Sequence, residues 1–346
     1  VRFSCPFYNE TNSEKNALQQ QFKEGQGSFM EMIANVKDQK KLFRKKDSIF
    51  DQYRKCKYLF ILLLPVILFY LIFYYVPIYG IVMGFQDFYP NQGIFGSQWV
   101  GFEHFKQLFT GMYFLPVLRN TLIISFYKLV FGFPAPILLA LLFNEVRNMA
   151  FKRTVQTLTY LPYFISWVVL AGIVTEVLSP SHGIVNYVIQ LFGGQPIFFV
   201  ADSHYFRGVL VLSSIWRQAG WQSVIFMAAI SGIDPELYDV AALDGAGRLR
   251  VIWNITLPSI LPVIVIMFIF AVGNLINDDF DQVYNLLNAK VMDVGDVIST
   301  YTFREGLQNL NYSYATAVGL FKNVVALSLV LITNFIAKKT SGSSVL

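Results

Sequence analysis

The sequence predicts an all-α integral membrane protein with six transmembrane helices, and three observations predict it. Of its 346 residues 55% are hydrophobic and only 14% are charged, whereas about a quarter of an ordinary soluble domain is charged. The apolar residues gather into runs long enough to cross a bilayer, for which a helix needs about 20 residues. Lys and Arg concentrate in alternate connecting segments, the asymmetry that orients a chain across a membrane.

The elements follow in order. Residues 1–57 form a polar and basic N-terminal segment. Its first part, 1–36, is rich in Gln, Asn and Glu without a strong period and is expected to contribute little fixed structure. The sequence starts at Val1, so Met30 or Met32 is the expected native start. No apolar run followed by small residues marks a signal peptide in 1–57. Cys5 and Cys56 lack metal-ligand spacing and read as free thiols. A basic stretch from Lys37 to Lys57 then leads into the membrane domain, 58–337.

Six apolar segments are predicted to span: 58–80, 118–143, 160–178, 207–231, 257–276 and 314–337, with a tail at 338–346. Arg147, Lys152 and Arg153 mark the second-to-third loop, Arg248 and Arg250 the fourth-to-fifth, and Lys338 and Lys339 the tail. The remaining loops are longer and poorer in basic residues, so both termini are predicted to be cytoplasmic. The net charge of +5 is placed beside apolar runs, which favours a lipid bilayer over nucleic acid as its partner. The loop 86–116 holds Gly93, Gly96 and Gly101 and is expected to include a short helix near 102–109. Pro65, Pro77, Pro134, Pro136, Pro258 and Pro262 fall within or beside spans. They read as kinks in packed helices or, alternatively, as hinges.

Between the fourth and fifth spans lies a polar, helix-forming island. Asp234 suits a cap and Pro235 the first helical position, and Glu236 and Asp239 favour the positive end of the dipole. The expected helix runs over 235–249. Ala241, Ala242 and Ala246 keep it slim, and Gly245 permits a turn or the approach of another backbone. Asp239-Val240-Ala241, then Gly245, nine residues, and Ile255-Thr256-Leu257-Pro258 complete the pattern.

That spacing resembles the EAA loop of ABC importer permeases, with Asp for Glu and Val for the first Ala. The resemblance covers roughly residues 50–340 and points to the maltose-permease-like carbohydrate class, in its Gram-positive complex-oligosaccharide branch. Supporting stretches include Tyr75-Val76-Pro77-Ile78-Tyr79-Gly80, Tyr160-Leu161-Pro162-Tyr163-Phe164-Ile165-Ser166 and Asp281-Gln282-Val283-Tyr284. The family resemblance implies a type I ABC importer permease fold in the bacterial plasma membrane and inward transport of an oligosaccharide. Its implied partners are a second homologous permease, two ATPase subunits and an extracytoplasmic sugar-binding lipoprotein. Glu236, Asp239, Ala241, Asp244, Gly245, Ala246, Ile255, Leu257 and Pro258 are the implied ATPase-coupling residues. The sequence contains no GxxxxGK[ST] run, so ATP and Mg are expected in the ATPase subunits and no cofactor in this chain.

Polar residues inside spans usually face the bundle interior or a water-filled cavity. Asn274, Asn277, Asp278 and Asp281 recur at i, i+3, i+4 and i+7, which predicts one stripe at the outer end of the fifth span. Trp221 and Gln222 on the fourth span and Asn323 on the sixth complete the candidate substrate pathway. Interhelical hydrogen bonding is the competing use of such residues. Asp278 and Asp279 favour neutral or basic sugars by repulsion, pair with Arg217 or Arg304, or contact a binding protein. Lys128 either snorkels or, better supported by its depth, pairs inside the assembly. His104, His182 and His204 have no catalytic or metal spacing and read as surface or capping residues. Two further functions remain open: an ion-coupled secondary transporter, and a non-transporting membrane scaffold or sensor.

Overall fold

The computed structural model describes residues 57–276 and 279–341, in two units divided between Tyr79 and Gly80. The expectations for the start of the chain, Cys5, Cys56, and Asn277 and Asp278 lie outside the described residues.

The first unit holds α1, Lys57–Tyr70, which continues through a π turn, Leu71–Tyr75, into Val76–Ile78. Ile61, Leu64, Leu68, Phe73 and Tyr75 are all exposed. A helix that is apolar on every face belongs in a larger apolar environment, here lipid or other helices.

The second unit opens with a short hairpin, Gln86–Asp87 against Gln98–Trp99, turned by Gly93 at φ +67°. Sequence periodicity is too short there to signal two-residue strands. The amphipathic α2, Glu103–Thr110, follows, within two residues of its expected bounds. His104 is buried on it, with Nε2 3.1 Å from the Gln86 carbonyl oxygen, so it ties helix to hairpin rather than lying on the surface.

The membrane helices come next. α3, Phe114–Tyr127, passes through a π turn, Lys128–Gly132, into α4, Pro134–Glu145. α5 is Met149–Tyr160 and α6 Trp167–Val177. The predicted third span, 160–178, is therefore broken: the helix running to Phe164 and the helix from Trp167 meet at 110°. Pro162 removes a backbone donor, and the Ser166 hydroxyl accepts the Val169 N–H to start a new helix. α7, Ile184–Leu191, lies in the next loop. There the buried Asn186 donates to the Leu178, Ser179 and Ile197 carbonyls and accepts from the Ile197 N–H. Asn186→Ala is expected to lower stability by about 2 kcal/mol, because it strands several of these groups at once. Thermal unfolding in detergent measures it.

α8, Phe206–Ser231, is the central helix, packed lengthwise against α4. It links two clusters of buried side chains: Phe206, Val209 and Leu210 with Leu170 and Val283, and Phe226 and Ile230 with Ala140 and Ile260. α9 is Pro235–Leu243, and α10, Leu257–Gly273, is reached through a π turn, Ile252–Thr256. α11, Phe280–Leu286, α12, Ile298–Phe303, and the long α13, Tyr312–Ser341, complete the unit. Tyr301, Tyr314 and Val318 join Leu108, Phe114 and Ile298 in a third cluster.

Among the described residues four helices are long and apolar enough to cross a membrane, or five if the bent pair counts as one span. α8 has the length, but Arg217, Gln218, Gln222 and several serines dilute its apolar character.

Three of the π turns share one cause. Leu71–Tyr75, Lys128–Gly132 and Ile252–Thr256 each run from six to two residues before a proline, namely Pro77, Pro134 and Pro258. Proline lacks an N–H, and its ring collides with the carbonyl four residues back. Widening the turn moves that carbonyl aside without breaking the helix.

Candidate functional site

A cavity of about 360 Å³ opens between α3, α8 and the end of α10. Ser125 and Lys128 line it from one side, Ser214, Gln218 and Gln222 from α8, and Asn274 and Asp279 from the turn after α10. Ser214, Gln218 and Gln222 share a face of α8 because they are four residues apart.

Lys128 sits at the start of the π turn, only 18% exposed, and does not snorkel. Its Nζ lies 3.3 Å from Asp279 Oδ2 and donates to Gln282 Oε1 at 2.6 Å. The Gln282 amide donates to the Leu210 carbonyl at 2.7 Å and to Ser213 Oγ at 2.8 Å. Both its N–H groups are thus committed, so its oxygen is held towards the lysine. Gln218 Nε2 donates to Asp279 Oδ2 at 3.1 Å and to Ser214 Oγ at 3.2 Å, while Gln218 Oε1 accepts from Gln222. The result is a continuous polar chain through an apolar bundle, with one positive and one negative member.

The predicted stripe on the fifth span is not a single helix face. α10 ends at Gly273, with Asn274 as its C-cap, and a new helix begins at Phe280. Helical spacing across 274–281 therefore carries no information about facing. Asn274 lines the cavity, whereas Asp281 is exposed in the first turn of α11. Asn323 lies apart, in a second cavity of about 550 Å³ lined also by Met83, Phe303 and Thr316.

Trp221 and Gln222 separate in role. Gln222 joins the cavity, while Trp221 stacks on Tyr163 at 5.1 Å between ring centres. Arg217 lies on the Trp221 side, its guanidinium 4.9 Å from the Trp167 ring and 5.6 Å from Tyr163. Arg304 pairs with Asp296. Of the alternatives open for Asp279, pairing with Arg217 or Arg304 is not what the structure shows: its ion-pair partner is Lys128. Sequence reasoning missed Gln218 and Gln282. A lysine deep in a span needs polar company, and glutamines at 218 and 222, one turn apart, were the available signal.

A separate feature is α9. The Asp234 carboxylate accepts the Glu236 N–H at 3.0 Å, and Pro235 opens the helix, as its sequence predicts. The helix ends at Leu243, six residues before 249. Gly245 at φ +68° donates to the Ala242 carbonyl, and Ala246 donates to the Ala241 carbonyl. This pair of bonds is a Schellman cap, which terminates a helix at a left-handed residue. Ala241 is buried, and the Tyr238 hydroxyl meets Thr256 Oγ1 at 3.2 Å, so one side of α9 rests on its own chain. Ala246, Ile255 and Leu257 are half-buried. Glu236, Asp239, Asp244, Gly245 and Pro258 are exposed, together with Leu237, Val240 and Leu243. The free surface of α9 thus alternates apolar knobs with acids.

Residues 132–341 match the family described as binding-protein-dependent transport system inner membrane component. The chain is similar to the polygalacturonan/rhamnogalacturonan transport system permease protein YteP of Bacillus subtilis, 47% identical over 82% of this chain and 88% of that protein. It is also 42% identical to Protein LplB of the same organism, over 83% of this chain and 90% of that one. Among solved structures it resembles a chain of a bacterial ABC transporter that imports the acidic polysaccharide alginate. The TM-score is 0.78 at 40% identity, covering 85% of this chain and 99% of that chain. A second structure of an alginate ABC transporter, in complex with an alginate pentasaccharide-bound periplasmic protein, gives a TM-score of 0.79 at 39% identity. It covers 86% of this chain and 99% of that one.

Proposed function

Because this chain belongs to the binding-protein-dependent transport system inner membrane component family, we propose that it is the permease of an ATP-driven importer for uronate-containing oligosaccharides. The cavity carries this reading: a lysine and four amide side chains line or border a space set in apolar helices. Such groups suit a hydroxyl-rich substrate bearing carboxylates. The names of the relatives support it, since polygalacturonan and alginate are both acidic polymers. Before a substrate binds, the charge of Asp279 is balanced by Lys128, which weakens the repulsion of uronates expected of an isolated acid.

On this reading six helices span the plasma membrane: the five apolar spans, counting the bent pair as one, and α8. Both termini and α9 face the cytoplasm, where the basic loops lie. The acids and apolar knobs of α9 dock on an ATPase subunit, and a second permease completes the pathway. A binding protein delivers the sugar from outside, as a periplasmic protein does in the alginate transporter complex. ATP binding by the ATPase pair draws the α9 helices together and opens the cavity outward, and hydrolysis returns it inward.

Deletion of the gene is expected to abolish uptake of oligogalacturonate and to spare uptake of neutral sugars, with recovery on complementation. Unchanged uptake of acidic oligomers in the deletion strain overturns the reading. Docking has its own test: Leu243, 88% exposed, changed to Asp is expected to weaken co-purification with the ATPase by about tenfold, since burying an unpaired charge costs upwards of 1.4 kcal/mol. Equal recovery of the ATPase with wild type and Leu243→Asp overturns that docking surface.

A further inference from the structure

We infer that Lys128 is the group that receives the carboxylate of the substrate, and that Asp279 holds the position this carboxylate takes. The inference rests on the uronate reading above. Lys128 is the cation among the residues lining the cavity, and it stands where α3 widens into the π turn. Its ammonium has two acceptors of unequal kind. Gln282, fully buried and with both its own hydrogens committed, is fixed. Asp279 is half-buried, sits on the turn between α10 and α11, and is held at 3.3 Å, beyond the usual range of about 2.7–2.9 Å for a charge-assisted bond.

The arrangement permits exchange in which the displaced carboxylate keeps a hydrogen-bond donor. When a uronate oxygen replaces Asp279 at the ammonium, Gln282 still orients the lysine. Asp279 keeps the Gln218 amide as a donor, so its carboxylate is not left bare. A neutral sugar gives Lys128 no counter-charge and cannot displace Asp279. The ion pair therefore selects for charge, while Gln222, Ser214 and Asn274 line the cavity with amide and hydroxyl groups for the rest of the sugar. Gln282 acts through the lysine and is a positioning residue.

The complete importer is tested in a deletion strain carrying wild type, Lys128→Gln, Lys128→Arg or Asp279→Asn. Uptake of a labelled galacturonic acid trimer is compared with uptake of its methyl ester. Each substrate is read as variant over wild type, which cancels any preference of the delivering protein. Lys128→Gln is expected to raise KM for the acid about tenfold or more relative to the ester, the size of a lost charged hydrogen bond. Lys128→Arg restores most of that difference. Asp279→Asn shifts the ratio the other way, because the competing carboxylate is gone. Equal loss of both substrates in Lys128→Gln assigns the lysine to packing and overturns the inference, as does an unchanged ratio in Asp279→Asn. Failure of the wild type to take up the acid overturns the uronate reading itself, so the two failures are told apart by where they appear.

Discussion

Replacing Gly245 by Trp is expected to abolish ATP-driven uptake while leaving the membrane fold intact. Two separate costs meet at this residue. Its φ of +68° is left-handed, and an L side chain there costs about 1–2 kcal/mol. A Cβ at Gly245 meets nothing within 4 Å, so the indole would project from the tip of α9 instead of disturbing the bundle. That tip is part of the surface proposed to dock on the ATPase. Gly245→Ala carries the backbone strain without the bulk and is expected to reduce coupled uptake about fivefold to thirtyfold, the equivalent of 1–2 kcal/mol. Gly245→Trp is expected to lose it entirely and to release the ATPase on purification, with the same melting temperature as Gly245→Ala. Normal uptake by the Trp variant would refute the coupling role of α9. A collapse of stability in the Trp variant alone would place the residue in the fold instead.

The second large effect is on stability. A Cβ at Gly220 would lie 2.1 Å from the Thr159 carbonyl oxygen and 2.6 Å from its carbon. Backbone cannot swing aside as a flexible side chain does, so even Gly220→Ala forces α8 away from the end of α5. Overpacking costs about 1–3 kcal/mol and occasionally more, and the larger Gly220→Val is expected to exceed that range. A displaced α8 also carries Gln218, which faces the opposite side of the helix about 200° from Gly220, and disturbs its 3.1 Å bond to Asp279, so transport should fall with stability. Gly208 lies on the same helix with nothing within 4 Å of its Cβ position. Gly208→Ala is therefore expected to be neutral or to stabilise by up to about 1 kcal/mol. Thermal unfolding of the two alanine variants in detergent is the measurement. Similar melting temperatures would remove the close contact as an explanation.

The contrast shows which parts of the molecule were legible in the sequence. Apolar length gives the helices, and the Asp234-Pro235 start is as written, because both depend on a few adjacent residues. Breaks that depend on competition between neighbours are harder. The residues 160–178 look like one apolar run, but Pro162 and Ser166 divide it. The residues 274–281 show a helical spacing of polar groups, but the helix that would realise it stops at Gly273. Lys128 announced itself as an isolated charge within a span. Its partner could not be chosen from the sequence, because that choice depends on how three distant segments meet. Gln282 was invisible for a simpler reason: a glutamine whose every hydrogen bond is internal looks like any other until the contacts are known.

The proline-linked π turns bear on how such helices should be read. Each widened turn admits one additional residue, and one residue corresponds to about 100° around an α-helix. A helical wheel drawn through α3 from Thr121 is therefore out of phase by that angle beyond Gly132. The residues that follow turn a different flank towards their neighbours than the upstream repeat foretells. Substituting Pro134 alone removes the obstruction but leaves the surplus residue in place. Restoring one continuous face would require deletion of a residue as well, so in this protein each such proline is coupled to a one-residue insertion, and the two can be expected to change only together.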